Sequence, residues 1–211
     1  MRRLQEEMSF QRESFRINLP KEQIAHLLFN CYAEQVRSRY REFLADEHTE
    51  KQIYAISEIL SNPSTKFGIL LMGPCGNGKT TMLHAIRMLI HFVFSVGQNL
   101  LIPKINTSIP IISAKDAARI ITEENPYAYR GDDLLMIDDL GHEGTERVSY
   151  GMIHTPLVDL LEARYARLKY TIISSNLEPS EIRPKYHNRL ADRFNEMMHV
   201  VRFTGETYRN L

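Results

Sequence analysis

The chain has few cysteines, no excess of charge of either sign and no long uninterrupted apolar run. Only Cys31 and Cys75 are present among 211 residues. Two cysteines so far apart do not form a disulfide framework, and their spacing is not that of a zinc site. Such scarcity is typical of a protein kept in a reducing compartment, so we expect a cytoplasmic location.

The charges balance, with 26 Lys and Arg against 26 Asp and Glu. The composition therefore does not indicate a nucleic-acid-binding protein, and any surface for DNA would have to be local. Arg87 and His91 interrupt the longest apolar stretches, and residues 1–14 lack the apolar core of a signal peptide, so we expect no membrane contact. An apolar content of 43% is typical of a globular core, which 211 residues can build together with a small extension.

One stretch organises the chain, a strand pattern followed by a glycine-rich turn and a helix pattern. The apolar run at residues 67–72 predicts a strand buried on both faces. The next residues, GPCGNGKT at 73–80, match the phosphate-loop pattern G-x-x-x-x-G-K-[ST] at every required position. A chance glycine turn is the alternative, and the flanking strand and helix patterns argue against it.

The residue types of this loop explain its chemistry. Its glycines allow backbone angles that let several N–H groups point at one phosphate, and the helix that follows adds the positive end of its dipole. Lys79 would reach the β- and γ-phosphates of ATP, the Thr80 hydroxyl would bind Mg²⁺, and Thr81 would add a phosphate contact. The predicted nucleotide-binding residues are Gly73, Pro74, Cys75, Gly76, Asn77, Gly78, Lys79, Thr80 and Thr81.

A second acidic motif follows the buried run LLMI at residues 134–137. Asp138 would hold the water shell of Mg²⁺ and act as the second metal residue beside Thr80, and Asp139 would polarise the attacking water. A buried strand that merely ends in an acidic turn is the alternative. The position of this pattern after a phosphate loop in the same chain favours a catalytic role.

A polar residue ends the next predicted strand, TIIS at residues 171–174. Asn176 would lie level with the γ-phosphate and orient the lytic water. Alternatively, Asn176 caps the turn before Pro179.

The segment RPKYHNRLADRF at residues 183–194 collects several cations. Arg189 and Arg193 are four residues apart, so they share one helix face. Two arginines on one face could act in catalysis. Alternatively, they form ordinary salt bridges to Asp192 or Glu196.

The N-terminal region predicts helices. Apolar residues recur at helical spacing from Pro20 to Leu44, which predicts one long amphipathic helix, with Arg39 among the cations on its surface. This helix either packs on the main domain or offers a docking face for a partner or DNA. Thr49 and Gln52 form the pattern of a capping box that begins a second helix.

The remaining elements complete an alternating pattern. Residues 109–112 and 200–203 are further predicted strands, and Thr155-Pro156 begins a helix. Near the end of that helix, Arg164 would complement the helix dipole.

Taken in order, GPCGNGKTTM, DDLG, ARY, TIISSNL, RLADRF and a terminal YR resemble the DnaC/IstB family of AAA+ ATPases, which contains bacterial helicase loaders and transposition helper ATPases. The resemblance covers residues 50–209 and is strongest to a DnaC-like subgroup carried on mobile elements. It implies that Asn176 is the sensor 1 residue and that Arg189 and Arg193 are box VII arginines, with Arg193 reaching the ATP of a neighbouring subunit. It also implies a sensor 2 role for Arg209.

From motifs and resemblance together we expect a three-layer α/β/α P-loop NTPase of the AAA+ type. Its parallel sheet would have five strands in the order 5-1-4-3-2. The expected domains are a helical extension over residues 1–48 and an ATPase domain over residues 49–211. The resemblance implies ATP and Mg²⁺ as cofactors and self-association through ATP. Single-stranded DNA and a replicative helicase are the implied partners, with a transposase as the alternative and a small-molecule P-loop kinase as a remote one.

Overall fold

A computed structural model describes residues 14–106, 108–144, 147–149, 152–154, 156–205 and 208. In the described part, strands and helices alternate along most of the chain. The strands are β1 Arg16–Ile17, β2 Gly68–Met72, β3 Leu101–Ile102, β4 Ile111–Ser113, β5 Leu134–Leu140, β6 Arg147–Ser149, β7 Met152–His154, β8 Tyr170–Ser175 and β9 His199–Arg202. The helices are α1 Lys21–Arg37, α2 Glu47–Ser61, α3 Lys79–Val96, α4 Ala114–Glu123, α5 Pro156–Ala166 and α6 Pro179–Met197.

The main sheet has five strands in the order β4-β5-β8-β2-β9, and all neighbouring pairs are parallel. If the five strands of this sheet are numbered 1 to 5 in chain order and read from β9 to β4, their order is 5-1-4-3-2. The predicted topology is therefore confirmed. Every residue of β2 and of β8 is buried, as expected for central strands that are covered on both faces.

The predicted strands shift by a few residues, and β5 differs most. It continues beyond residue 137 through both aspartates to Leu140, with a register irregularity between Ile137 and Leu140. The second predicted strand moves to Ile111–Ser113, because Pro110 cannot donate to a ladder and contributes only its carbonyl, which accepts from Met136 N at 3.0 Å.

The prediction of one helix over residues 20–44 is wrong, because α1 ends at Arg37. The chain turns there, and Tyr40 adopts a left-handed conformation with φ 57°. The turn lets Phe43 pack edge-on against Phe29 of the same helix, with ring centroids 5.2 Å apart. Helical spacing alone does not distinguish a continuing helix from a chain that folds back onto it.

The start of α2 also differs from the prediction. Asp46 is the N-cap, and its carboxylate accepts a hydrogen bond from Thr49 N at 2.6 Å. Thr49 therefore lies inside the first turn, where it is buried, and the capping box of Thr49 and Gln52 is wrong. An aspartate three residues upstream satisfies the same helix terminus.

The N-terminal residues join the core of the ATPase domain. Ile24 and Leu28 of α1 are buried in one apolar cluster with the sheet, and α1 packs against α2 and α3. The short strand β1 pairs antiparallel with β3, a contact that the sequence did not predict. A domain boundary near residue 48 stays a prediction. Among the described residues, no helix combines the length and apolar character needed to cross a bilayer.

Arg164 lies in the last turn of α5, as predicted, but it is completely buried, which the sequence did not predict. Its guanidinium donates to the carbonyls of Tyr129 at 2.6 Å, Asp132 at 2.9 Å and Tyr170 at 2.7 Å. Its Nε donates to the Thr171 hydroxyl at 2.9 Å. Burial lowers the pKa of Arg164 to about 10, so the group stays charged at neutral pH. Arg164 thus connects the loop before β5 to the first two residues of β8.

We expect Arg164→Leu to destabilise the fold, because it leaves several buried carbonyl oxygens without a donor. The free energy of unfolding should fall by roughly 2–5 kcal/mol, measured by urea denaturation. Arg167→Leu removes the same charge from an exposed position and should change stability by less than about 0.5 kcal/mol. Equal urea midpoints for the two variants would contradict the structural role of Arg164.

Candidate nucleotide-binding site

The phosphate loop lies between β2 and α3, at the carboxyl edge of the sheet. All three of its glycines have positive φ values, 153° at Gly73, 91° at Gly76 and 90° at Gly78. A Cβ at residue 73 would lie 2.1 Å from the carbonyl oxygen of Phe203, and one at residue 78 would lie 2.2 Å from the Tyr32 hydroxyl. Glycine is therefore required at both positions by backbone angle and by space.

Lys79 is turned into the loop and is only 5% exposed. Its ammonium group donates to the carbonyls of Gly73 and Pro74 at 2.7 Å each, and to Asn77 Oδ1 at 3.1 Å. Asn77 in turn donates to the carbonyl of Phe203 at 2.7 Å, which anchors the loop to the segment after β9. The loop thus holds one positive charge at its centre, where the predicted phosphates would bind.

The two predicted motifs meet at a hydrogen bond between Thr80 and Asp138. The Thr80 hydroxyl donates to Asp138 Oδ1 at 3.1 Å. Ser174 of β8 donates to the same oxygen, and its hydroxyl accepts from Asp139 N at 2.9 Å. Ser174 was not predicted as a site residue, although a polar residue near the end of a buried strand indicates such a position.

Asp139 has an unusual backbone conformation, with φ 57° in the left-handed region. A residue with a Cβ pays of order 1–2 kcal/mol for this conformation. It coincides with the register irregularity that follows Ile137 in β5. Asp139 is half-buried beside Asp138, and strain at such a position is common in catalytic sites.

Asn176 follows β8, the strand that pairs with both β2 and β5. Its position is therefore at the carboxyl edge, between the strands that carry the two motifs. The turn after β8 has other stabilising contacts, since the Ser175 hydroxyl accepts from Leu177 N at 3.1 Å and Glu178 forms a capping box with Glu181. Both roles of Asn176, the orientation of the lytic water and the cap of this turn, stay predictions.

Arg189 and Arg193 share a helix face, as predicted, since both pair with one carboxylate. Glu162 Oε1 lies 3.1 Å from Arg189 Nε and 2.7 Å from an Arg193 guanidinium nitrogen. Arg193 also lies over the ring of Tyr165, 4.9 Å from the ring centroid. The side chain of Arg189 is 72% exposed and that of Arg193 only 17%.

The carboxylates expected as alternative partners of these arginines are engaged elsewhere. Asp192 pairs with Arg183 at 2.7 Å, and Glu196 accepts a hydrogen bond from the Tyr165 hydroxyl. The partner in α5, Glu162, could not be identified by spacing because it lies far away in the sequence.

The family profile described as the bacterial DnaA ATPase domain matches residues 35–201. The chain belongs to this family. The resemblance to AAA+ ATPases that the motifs indicated is thereby confirmed. A search of curated proteins gives no match.

Solved structures share the fold of this DnaA-family chain. AMPPCP-bound DnaA from Aquifex aeolicus is 21% identical, with a TM-score of 0.53 over 78% of this chain and 49% of that one. DnaA bound to AMPPCP and single-stranded DNA is 21% identical, with a TM-score of 0.54 over the same shares. The DnaC helicase loader is 17% identical, with a TM-score of 0.54 over 82% of this chain and 98% of that one. The chain thus spans about half the length of the DnaA structures.

The residues of this DnaA-family site fit Mg²⁺. A hydroxyl and a carboxylate oxygen, from Thr80 and Asp138, lie 3.1 Å apart, and oxygen ligands of this kind are those that Mg²⁺ prefers. Among the described residues, no group of three or more His, Cys, Asp or Glu could hold a metal ion. Mg²⁺ held by Thr80 and Asp138 would complete its coordination with phosphate oxygens and water, as is usual for this ion.

The C-terminal segment also contacts the phosphate loop. Tyr208 N donates to the carbonyl of Gly76 at 3.0 Å, and the Tyr208 hydroxyl donates to Asp46 at 2.5 Å and lies 3.1 Å from the Thr49 hydroxyl. Burial and the bond to Asp46 raise the pKa of Tyr208. Arg209, the predicted sensor 2 residue, lies outside the described residues. Sequence analysis did not identify Tyr208 as part of the site.

Gly73→Ala should destabilise the loop, because the added methyl group meets the Phe203 carbonyl and the backbone angle is unfavourable. We expect a cost of roughly 2–4 kcal/mol, seen as a lower thermal midpoint. Gly131→Ala is the matched control, since its Cβ meets no described atom within 4 Å. Equal midpoints for the two variants would show that the loop relaxes around an alanine.

Proposed function

We propose that this protein is an ATP-driven replication factor of the helicase-loader type, which binds single-stranded DNA and a replicative helicase in the cytoplasm. The hydrogen bond between Thr80 and Asp138 carries the proposal, because it joins the phosphate loop to the acidic strand end as Mg·ATP chemistry requires. The structural match covers 98% of the DnaC helicase loader chain, which supports a replicative helicase as the partner. The DnaA complex with single-stranded DNA supports the nucleic acid.

Each polar residue at this edge then has a chemical role in ATP hydrolysis. Lys79 and the loop amides would bind the phosphates. Thr80 and Asp138 would hold Mg²⁺, which would supply positive charge beside the γ-phosphate. Asp139 polarises the attacking water, and Asn176 orients it. Gly73, Pro74, Cys75, Gly76, Asn77, Gly78 and Thr81 complete the phosphate cradle.

The arginine finger comes from a neighbouring subunit in this proposal. Arg193 is the finger and Arg189 its companion, and Glu162 holds both on one face of α6. An arginine at the developing phosphate charge is worth about 10³ to 10⁵ in rate, so an isolated subunit should hydrolyse ATP slowly. ATP therefore acts first as a clamp between subunits. Arg209 would complete the site as sensor 2.

ATP should be required for binding to single-stranded DNA. We expect fluorescence anisotropy of a labelled oligonucleotide to show binding with Mg·ATP that weakens steeply with added salt, since phosphate contacts release counterions. Lys79→Ala should lose both nucleotide binding and this DNA binding. DNA binding that is unchanged in Lys79→Ala would contradict the ATP switch.

Capture of a purified transposase, but not of a replicative helicase, would favour the transposition-helper alternative.

Arg193→Ala should keep ATP binding yet lose most of the DNA-stimulated hydrolysis, by about 10³-fold or more. Arg183→Ala removes an exposed cation of the same helix, paired with Asp192, and should hydrolyse ATP as the wild type does. The decisive measurement is the rate of ATP hydrolysis by a mixture of the Arg193→Ala and Lys79→Ala proteins. If the finger acts between subunits, the mixture regains activity, because the Lys79→Ala subunit supplies an intact Arg193. A mixture as inactive as its components would contradict a finger in trans.

A further inference from the structure

The segment between α1 and α2, residues 38–46, lies against the phosphate loop and is called the strap here. It begins where α1 ends and includes Arg39, whose guanidinium donates to the Thr81 hydroxyl at 3.2 Å. Arg41 donates to the carbonyl of Tyr208 at 2.9 Å, and Asp46 accepts from the Tyr208 hydroxyl at 2.5 Å. The strap is therefore fixed at three points along its length.

The strap and the predicted metal site lie on different sides of the start of α3. Successive residues of an α-helix are about 100° apart around its axis. Thr80 turns toward Asp138, and Thr81 turns toward Arg39. Because Lys79 and Thr80 serve the terminal phosphates, the phosphate nearest the nucleoside would lie on the side of Thr81.

Thr81 has the donors to bind that phosphate. Its N–H is in the first turn of α3, where backbone donors have no partner within the helix. Its hydroxyl oxygen accepts from Arg39, which leaves the hydroxyl proton for a phosphate oxygen. The guanidinium of Arg39 is thus one hydroxyl group away from the expected anion.

The local charge also favours an anion beside Arg39. Arg39 forms no salt bridge with any residue in the described part of the chain, and it lies at the exposed surface. The pKa of the nearby His84 is lowered by burial, then by Arg87 and by Arg39, against an opposing effect of Asp138, so two cations lie near this side of α3. A phosphate would neutralise this charge.

We propose that Arg39 binds the α-phosphate of the nucleotide together with Thr81, which makes the strap part of the nucleotide site. This inference rests on the proposed nucleotide function of the phosphate loop. It assigns a binding role to a residue outside both motifs. The N-terminal helix α1, which leads directly into the strap, is thereby connected to the occupied site.

The test measures the affinity of ADP and of AMPPCP by isothermal titration calorimetry in the presence of Mg²⁺. Arg39→Gln removes one charge-assisted hydrogen bond, and we expect the Kd of both nucleotides to rise by the same factor, about tenfold. Arg39→Lys keeps the charge without the planar fork and should give an intermediate Kd. Arg37→Gln is the matched control, an exposed arginine at the end of α1, and should bind as the wild type does.

The outcomes separate the inference from the proposed function. If the wild type binds ADP and Arg39→Gln binds it equally well, the role of Arg39 is overturned while the nucleotide site stands. If Arg39→Gln weakens AMPPCP but not ADP, the contact is to the γ-phosphate, and the assignment to the α-phosphate is overturned. If the wild type binds neither nucleotide, the proposed function itself fails.

Discussion

The hydrogen bond from Thr80 to Asp138 joins two parts of the sheet that carry different chemistry. Thr80 lies in the first turn of the helix after β2, and Asp138 lies near the end of β5, while β8 lies between these strands. Ser174 of β8 donates to the same carboxylate oxygen, so three strands converge on one point. The candidate site depends on this convergence, because phosphate cradle, metal ligand and water-orienting residue must lie within reach of one γ-phosphate.

Two segments from outside the sheet contact this edge, the strap and Tyr208 of the C-terminal segment. The strap approaches from the N-terminal side through Arg39, and Tyr208 approaches from the C-terminal side through the carbonyl of Gly76. Asp46 connects the two by accepting from the Tyr208 hydroxyl. The surroundings of the phosphate loop therefore include residues from outside the sheet and from outside the motifs.

Local patterns predicted the core of the fold and the motif residues. Sequence patterns identified the buried runs of β2, β5 and β8 and the loop at residues 73–80. A hydrophobic run and a glycine spacing are both patterns of residues that are adjacent in the sequence. The end of α1 and the cap of α2 were predicted wrongly, and the burial of Arg164 was not predicted. Two of these features depend on contacts between segments that are separated in the sequence, Phe43 with Phe29 and Arg164 with the carbonyl of Tyr129. The cap of α2 depends instead on a local contact, because Asp46 lies only three residues before Thr49.

The sequence by itself determined the order of elements, the phosphate loop and the acidic strand end, because these follow from hydrophobic periodicity and glycine spacing within short windows. Only the tertiary structure decided that Glu162 holds both arginines of α6, that Ser174 supports Asp138, and that Arg39 lies beside Thr81. Such contacts join side chains that are tens of residues apart in the sequence. A local sequence pattern does not show which distant residues pack together.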